Sequence, residues 1–174
     1  MSAATILALT LLVGAASVFD LRTRRIPNGL LVTGLGVALI WQSLLGGWCG
    51  LGDSIIGFAL GLGLMLPGWL LRFTGGGDVK LLAVVGAFVG SPTIVYAFAL
   101  SMMVGALIAI AYSVYAWAAH GAASPLTRYG TMMTALLSTG RVSYIRPDAK
   151  EAVGRRFPLA PAIALGSIGA ALWV

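Results

Sequence analysis

Residues 2–25 read SAATILALTLLVGAASVFDLRTRR, an uncharged apolar run that is followed at once by Asp20 and three arginines. A helix needs about 20 apolar residues to cross the hydrocarbon of a membrane, with about 17 as the lower limit. Ser2–Phe19 meets that length. A secretory signal peptide carries its positive charges before the apolar run, whereas here they come after it. Because arginines mark the cytoplasmic end of a span, the stretch predicts a transmembrane helix whose N-terminus lies outside.

The rest of the chain has the composition of a membrane protein. Of its 174 residues, 59% are hydrophobic and 9% are charged, compared with about 25% charged in soluble domains. The formal net charge is +6, but the basic residues stand between apolar runs. We therefore expect them to set topology and contact lipid headgroups, with no nucleic acid as a partner. The single cysteine, Cys49, allows neither a CxxC site nor an internal disulfide.

Further apolar runs predict five more spans. They cover about 29–48, 51–71, 81–89, 93–119 and 157–174. Pro92 favours a helix break within the long apolar region, which then supplies two crossings. The sequence thus predicts an all-α polytopic fold with six transmembrane helices, both termini outside, and one membrane-embedded domain over residues 1–174.

The basic residues support this topology. Six spans place the loops at about 20–28, 72–80 and 120–156 in the cytoplasm, and these loops hold all eleven Lys and Arg residues. The outer loops, 46–52 and 90–93, hold none. Five spans would put six cations of the third loop outside. Within that loop, Tyr129–Leu137 is mildly apolar and predicts a short helix at the membrane interface.

The acidic residues divide by position. Asp53 precedes the third span and is expected to cap that helix. Asp148 and Glu151 are interpreted as solvated loop charges. Asp20 and Asp78 stand at the cytoplasmic ends of spans one and four, where an ionisable residue suggests function. If those spans pack together, the two carboxyl groups can meet.

Two carboxyl groups that share a site cannot both ionise easily, so the pair holds one proton over a useful pH range. In an aspartic protease one carboxylate takes a proton from water while the other polarises the scissile carbonyl. Structural roles remain open for both residues. Asp20 could pair with Arg24, and Asp78 could cap the fourth span.

The glycine run 75–77 directly precedes Asp78. Glycines can adopt positive φ and allow close backbone approach, which would suit a substrate strand beside the acid. A glycine turn before a helix cap is the competing interpretation. The run matches neither GxGxxG nor a phosphate-binding loop. With one histidine, His120, an HExxH zinc site is impossible, and two carboxylates are few for a divalent cation. No metal or cofactor is predicted.

These residues form a recognisable pattern. Asp20 is followed after five residues by Ile26-Pro27-Asn28, and Gly75-Gly76-Gly77-Asp78 is followed by Val79-Lys80. The combination resembles the prepilin peptidases, which are GxGD-type membrane aspartic proteases. The segment 156–162, RFPLAPA, opens the last span and is also similar to theirs.

The resemblance implies cleavage of the short basic leader from prepilin or pseudopilin substrates at the cytoplasmic face of the inner membrane. Asp20 and Asp78 would form the catalytic pair, and Gly75 and Gly77 would support it. Residues expected at the substrate approach are Gly76, Lys80, Ile26, Pro27 and Asn28. Larger members carry an N-terminal extension with paired cysteines and also methylate the product. This chain looks like the short form of Tad/Flp (type IVb) pilus systems, for which N-methyltransferase activity is not expected.

Two other functions remain open. An archaeal-type preflagellin peptidase would use the same pair. A small transporter or a non-catalytic assembly subunit of a secretion or pilus machine would use the acids for ion passage or packing. A transporter should carry its acids near the bilayer midplane, on broken helices that repeat between two halves. The position of Asp20 and Asp78 at the membrane edge favours the peptidase.

Overall fold

A computed structural model of the protein describes residues 2–71, 74–120, 125–139 and 159–173, without the side chains of 112, 113, 116–120, 125–129 and 137. Six helices and no strand occur in those ranges, which confirms the all-α prediction. The helices are α1 (Ala3–Thr23), α2 (Asn28–Leu70), α3 (Gly76–Val89), α4 (Ser91–His120), α5 (Pro125–Thr139) and α6 (Ala160–Trp173). The chain divides into a first unit, Met1–Gly105 with Pro158–Val174, and a second unit, Ala106–Phe157.

Helix α1 extends beyond the predicted span. Its first turn is capped by the Ser2 hydroxyl, which accepts a hydrogen bond from the Thr5 N–H at 3.2 Å. The helix continues through Asp20 to Thr23 and ends at Arg24, whose φ of 53° is left-handed. The predicted loop 20–28 is therefore too long, because only Arg24–Pro27 separate α1 from α2. Asp20 lies in the last turn of α1 rather than in a loop.

Helix α2 contains one interruption, at Gly47, where φ is 57° and ψ is −140°. In a straight helix residues eight apart are separated by about 12 Å. Here Gly50 lies directly against the main-chain oxygen of Gln42, so the chain bends sharply between them. Glycine tolerates this backbone conformation without steric cost. The predicted break between residues 29–48 and 51–71 is observed, whereas their assignment to two membrane spans stays a prediction. The predicted outer loop 46–52 is helical on both sides of Gly47.

Helix α3 is the central helix of the first unit, since every residue from Asp78 to Val89 except Lys80 is buried. Glycines let α2 approach it closely. Gly57 and Gly86 meet backbone to backbone, and Gly61 lies against the Leu82 carbonyl. Each glycine belongs to a GxxxG pattern, at 57–61 and 86–90, and such patterns are typical of close helix packing in membranes. This packing fixes α3, and therefore Asp78, relative to α2.

A short turn at Gly90, with φ of 82°, separates α3 from α4. This confirms the break predicted near Pro92. The expected role of Asp53 is wrong. Asp53 lies within α2, and its Oδ1 accepts hydrogen bonds from the N–H of Ser91 at 3.0 Å and from its Oγ at 2.6 Å. Asp53 therefore caps α4 rather than its own helix, because α4 begins beside it with unsatisfied N–H groups.

Among the residues that the structure describes, three helices are long and apolar enough to cross a membrane. They are Ala3–Thr23, Asn28–Leu70 and Ser91–Ala111. Their outer faces carry exposed apolar side chains such as Leu11 at 66% and Val32 at 69% exposure. Extended apolar surface of this kind is unfavourable in water. Together with the composition, it indicates an integral membrane protein.

The second unit contains α5, Pro125–Thr139. This confirms the helix predicted over 129–137, while its location at the membrane interface stays a prediction. Most of the predicted loop 120–156, including Asp148 and Glu151, lies outside the described residues.

Candidate active site

Asp20 and Asp78 come from different helices and lie close together in the first unit. Asp20 is in the last turn of α1, and Asp78 is in the first turn of α3. Each residue is 9% exposed. The charge of Asp20 acts on the carboxyl group of Asp78. The expected packing of the first and fourth apolar segments is thus observed, since α1 contacts α3.

The Asp78 carboxyl group folds back onto the start of its own helix. Its Oδ2 accepts a hydrogen bond from the Gly75 N–H at 3.2 Å. A Cβ added to Gly75 would lie 3.0 Å from this same oxygen. The competing prediction that Asp78 caps a helix is therefore observed. Capping does not exclude chemistry, because a carboxylate offers about four acceptor positions and one is used here.

Asp78 lies in the segment 72–80, which the sequence places outside the membrane spans. Burial raises the pKa of Asp78 from 3.8 to about 6, and the neighbouring charge of Asp20 acts in the same direction. The hydrogen bond from Gly75 opposes them and lowers the pKa. A carboxyl group with this pKa keeps its proton under mildly acidic conditions and can donate it.

The Asp20 carboxyl group has different surroundings. Its Oδ2 accepts a hydrogen bond from the main-chain N–H of Ala160 at 3.4 Å. Ala160 is the first residue of α6. The positive charge of Arg24 also acts on Asp20, in line with the predicted pairing. Burial has the largest effect and raises the pKa of Asp20, while the Ala160 N–H and Arg24 partly offset this rise.

The two sequence motifs contact each other beside the pair. Lys80 Nζ donates a hydrogen bond to Asn28 Oδ1 at 3.1 Å. A Cβ on Gly77 would lie 3.5 Å from the Ile26 side chain. Pro27, with φ of −61°, is the N-cap residue that directly precedes α2. The segment after Asp20 therefore packs directly against the segment around Asp78.

The glycine run differs from its expected conformation. Gly75 has φ of −78° and ψ of 147°, which is extended, and Gly76 and Gly77 already belong to α3. Among the described glycines, positive φ occurs at Gly47 and Gly90. Positive φ is not needed in this run, because Asp78 caps the helix and lets it begin at Gly76. Gly75 and Gly76 are exposed next to Asp78.

Two neighbours of the site were not expected from the sequence. One is Ala160, whose contact with Asp20 joins residues 140 positions apart. The other is Trp69, whose Nε1 would lie 3.5 Å from a Cβ on Gly76. Ala160 belongs to the segment 156–162 that resembles the family, but nothing in the sequence around either residue reports which group it contacts. Among the described residues, no group of three or more His, Cys, Asp or Glu could hold a metal ion.

A family model described as the type IV leader peptidase family matches residues 7–110, which include both aspartates and both motifs. The chain belongs to this family. The resemblance to prepilin peptidases is thereby confirmed.

Among curated proteins, a prepilin leader peptidase/N-methyltransferase from Pseudomonas putida is 32% identical to this leader peptidase family member over 115 residues. The match covers 62% of this chain and 40% of that relative. The chain thus aligns with less than half of the relative's length. No solved structure matches the chain.

Proposed function

We propose that this protein is a membrane aspartic endopeptidase that removes the leader from prepilin or pseudopilin substrates, with Asp20 and Asp78 as its catalytic pair. The observation that carries the proposal is the meeting of two buried carboxyl groups from α1 and α3, close enough for one charge to act on the other. Membership of the type IV leader peptidase family supports the class of reaction.

The different surroundings of the two acids suggest separate roles. Burial raises the pKa of both acids, but Arg24 and the Ala160 N–H favour the charged form of Asp20, so Asp20 would be the first of the two to ionise and would take a proton from a water molecule. Asp78, with its raised pKa, would hold a proton and donate it to the oxygen of the scissile carbonyl. The resulting tetrahedral intermediate breaks its C–N bond as Asp20 returns a proton to the leaving nitrogen. Asp78 regains its own proton from the hydroxyl group, so the pair ends as it began.

The substrate would approach along Gly75 and Gly76. Both residues are exposed and carry no side chain beside Asp78, so an extended leader segment could come close to the carboxyl group. Ile26 and the Lys80–Asn28 hydrogen bond border the same region. The apolar helix of a prepilin would lie in the membrane next to the enzyme.

For topology, we propose six spans with both termini outside and the active site at the cytoplasmic face of the inner membrane. Helix α2 has 43 residues, which is long enough for two crossings, and the break at Gly47 divides it between them. Helices α3 and α6 have 14 residues each, and so reach about 21 Å across a hydrocarbon layer of about 30 Å. They would cross only part of that layer and leave the active site at its cytoplasmic edge.

Within the family, we propose the short type that serves Tad/Flp (type IVb) pili, without methylation of the product. The supporting observation is that these 174 residues contain one cysteine and therefore no cysteine pairs. The relative from Pseudomonas putida is named as both a peptidase and a methyltransferase. The N-terminus of the pilin that this chain produces therefore distinguishes the two activities, because it shows whether the leader is removed and whether the new N-terminus is methylated.

The test is co-expression of the wild-type chain with a prepilin that has a short basic leader, followed by mass spectrometry of the pilin N-terminus. We expect loss of the leader and an unmethylated new N-terminus. A pilin that keeps its leader, although the wild-type protein is present in the membrane, would reject the peptidase in favour of a transporter or assembly subunit. A methylated product would reject the short type alone.

A further inference from the structure

The first N–H group of α6 faces the active site. Ala160 is fully buried and is the first residue of this helix. The first four N–H groups of a helix have no acceptor within it. The N–H of Ala160 finds its acceptor in the Oδ2 of Asp20, at 3.4 Å. The last helix of the described chain therefore contacts a residue that we place in the catalytic pair.

This donor is held in place by the packing of α6. Within the first unit, Gly166 of α6 lies directly against Ser101 of α4. A Cβ on Gly105 would lie 3.2 Å from the Leu159 side chain, at the start of α6. Contacts this close leave the helix little freedom to slide. The Ala160 N–H is thus a fixed reference point for the carboxyl group of Asp20.

We propose that the main-chain N–H of Ala160 is a positioning group for the peptidase reaction: it fixes one oxygen of Asp20 and leaves the other oxygen to take the proton from water. This inference rests on the proposed function. A hydrogen bond to the charged form of a carboxyl group also favours that form, and the positive end of the α6 dipole acts in the same direction. Both effects oppose the burial that raises the pKa of Asp20, and so favour the charged form that acts as a base.

The competing explanation is purely structural, with Asp20 serving only to cap α6. The two explanations differ in what they predict for catalysis. A cap affects how much protein folds, but not the rate or the pH profile of the molecules that do fold. A positioning group affects the rate of the chemical step and the pH at which Asp20 ionises.

The substitution Ala160→Pro separates these cases, because proline lacks the N–H and is favoured at the first position of a helix. Ala160→Gly is the matched control, since it changes the side chain and keeps the N–H. We expect Ala160→Pro to lower kcat at least tenfold with KM within twofold of wild type. The acidic limb of the pH profile should move to higher pH. Ala160→Gly should lower kcat less than Ala160→Pro does and should keep the pH profile of the wild type.

A kcat within twofold of wild type and an unmoved pH profile in Ala160→Pro would overturn the inference. Loss of activity in Asp20→Asn in the same assay would show that the proposed function still stands. If Asp20→Asn also cleaves normally, the proposed function fails instead.

A second measurement decides the case if Ala160→Pro does not fold. In ¹⁵N-labelled wild-type protein, the amide proton shift of Ala160 should change with pH as Asp20 titrates, and this change should vanish in Asp20→Asn. An Ala160 shift that does not depend on Asp20 would overturn the inference.

Discussion

An aspartate lies at each end of α3: Asp78 belongs to its first turn, and Asp53 of α2 lies beside its C-terminal end. The two carboxyl groups differ in how well they are hydrogen-bonded. At the C-terminal end, Asp53 accepts two short hydrogen bonds from Ser91, at 3.0 and 2.6 Å. At the N-terminal end, Asp78 accepts one longer bond from Gly75, at 3.2 Å, and faces the charge of Asp20. The same residue type is well paired at one end and poorly paired at the other.

The difference shows how position assigns a role to a carboxyl group. Asp53 lies beside the first residue of α4 and accepts hydrogen bonds from the N–H and Oγ of Ser91, so it acts as a helix cap. Asp78 is buried beside a second acid, so its charged form is disfavoured. A carboxyl group whose pKa is shifted towards the working pH can both donate and accept a proton, which suits acid–base chemistry. We therefore expect changes at one end to affect stability and changes at the other to affect cleavage.

Outside the carboxyl pair itself, the largest loss of activity is expected for Gly75→Ala. The added Cβ would lie 3.0 Å from Asp78 Oδ2 and would displace that carboxyl group. At 3.0 Å the carboxyl group must give way by a few tenths of an ångström, and a displacement of about 1 Å at a catalytic group can cost about a hundredfold in rate. We expect a loss of about tenfold or more in kcat of the purified protein.

Gly63→Ala is the control for this prediction, because a Cβ added to this exposed glycine of α2 would meet no atom within 4 Å. Equal activity of the two variants would mean that the space beside Asp78 does not matter for cleavage.

The pH dependence of cleavage should follow Asp78. Its pKa is raised to about 6, so the proton is bound below that pH and lost above it. We expect the rate to fall as the pH rises through about 6, approaching about tenfold per pH unit where one proton is required. A rate that stays constant from pH 5 to pH 8 would contradict the assignment of Asp78 as the acid.

Stability should respond to pH with the same sign. Because the pKa of Asp78 is raised from 3.8 in the folded protein, the extra stability of the protonated form is complete below pH 3.8 and is lost as the pH rises through about 6. Thermal unfolding of Asp78→Asn should lack this loss, whereas unfolding of Asp53→Asn should retain it.

At the other end of α3, Asp53→Ala should affect folding rather than chemistry. It removes the acceptor for the N–H and Oγ of Ser91, and loss of a helix cap costs about 0.5–2 kcal/mol. Denaturation of the purified protein measures this change. Cleavage per folded molecule should equal that of the wild type. A specific rate reduced as strongly as in Gly75→Ala would remove the distinction between the two ends.

The smallest effect is expected at the Lys80–Asn28 hydrogen bond. This contact joins the two motifs at 3.1 Å but is exposed, and exposed polar pairs contribute about 0.2–1 kcal/mol. We expect Lys80→Met and Asn28→Ala each to lower the cleavage rate about two- to fivefold. The double variant should be no worse than either single one, since both remove the same contact. Strictly multiplicative losses would show that the two residues act separately.

Much of the fold was predictable because apolar length and the position of arginines constrain membrane helices strongly. The break near Pro92 and the break between residues 29–48 and 51–71 were found this way. The first apolar run predicts a span that ends at Phe19, whereas helix α1 continues to Thr23. Charged residues end an apolar run, but they do not end a helix. Glycine patterns at 57–61 and 86–90 could have predicted the close packing of α2 with α3.

The candidate site was predictable in its residues but not in its contacts. The position of Asp20 and Asp78 at the ends of apolar runs singled out these two residues, and the resemblance to prepilin peptidases added the residues of both motifs. The role of Asp53 was misassigned, because its partner Ser91 is 38 positions away and belongs to another helix. The contact of Ala160 with Asp20 was missed for the same reason, since no local pattern reports which N–H group a distant carboxyl group will meet.

The decisive measurement is the single-turnover cleavage rate of a prepilin by the purified protein in liposomes, normalised to folded protein, for Asp20→Asn, Asp78→Asn and Asp53→Asn. An amide cannot exchange protons as a carboxyl group does, so we expect the first two variants to lose about 10²–10⁴-fold in rate. Asp53→Asn should cleave at the wild-type rate. Wild-type cleavage by either Asp20→Asn or Asp78→Asn would show that the pair is not catalytic and that the N-terminal end of α3 is only another helix cap.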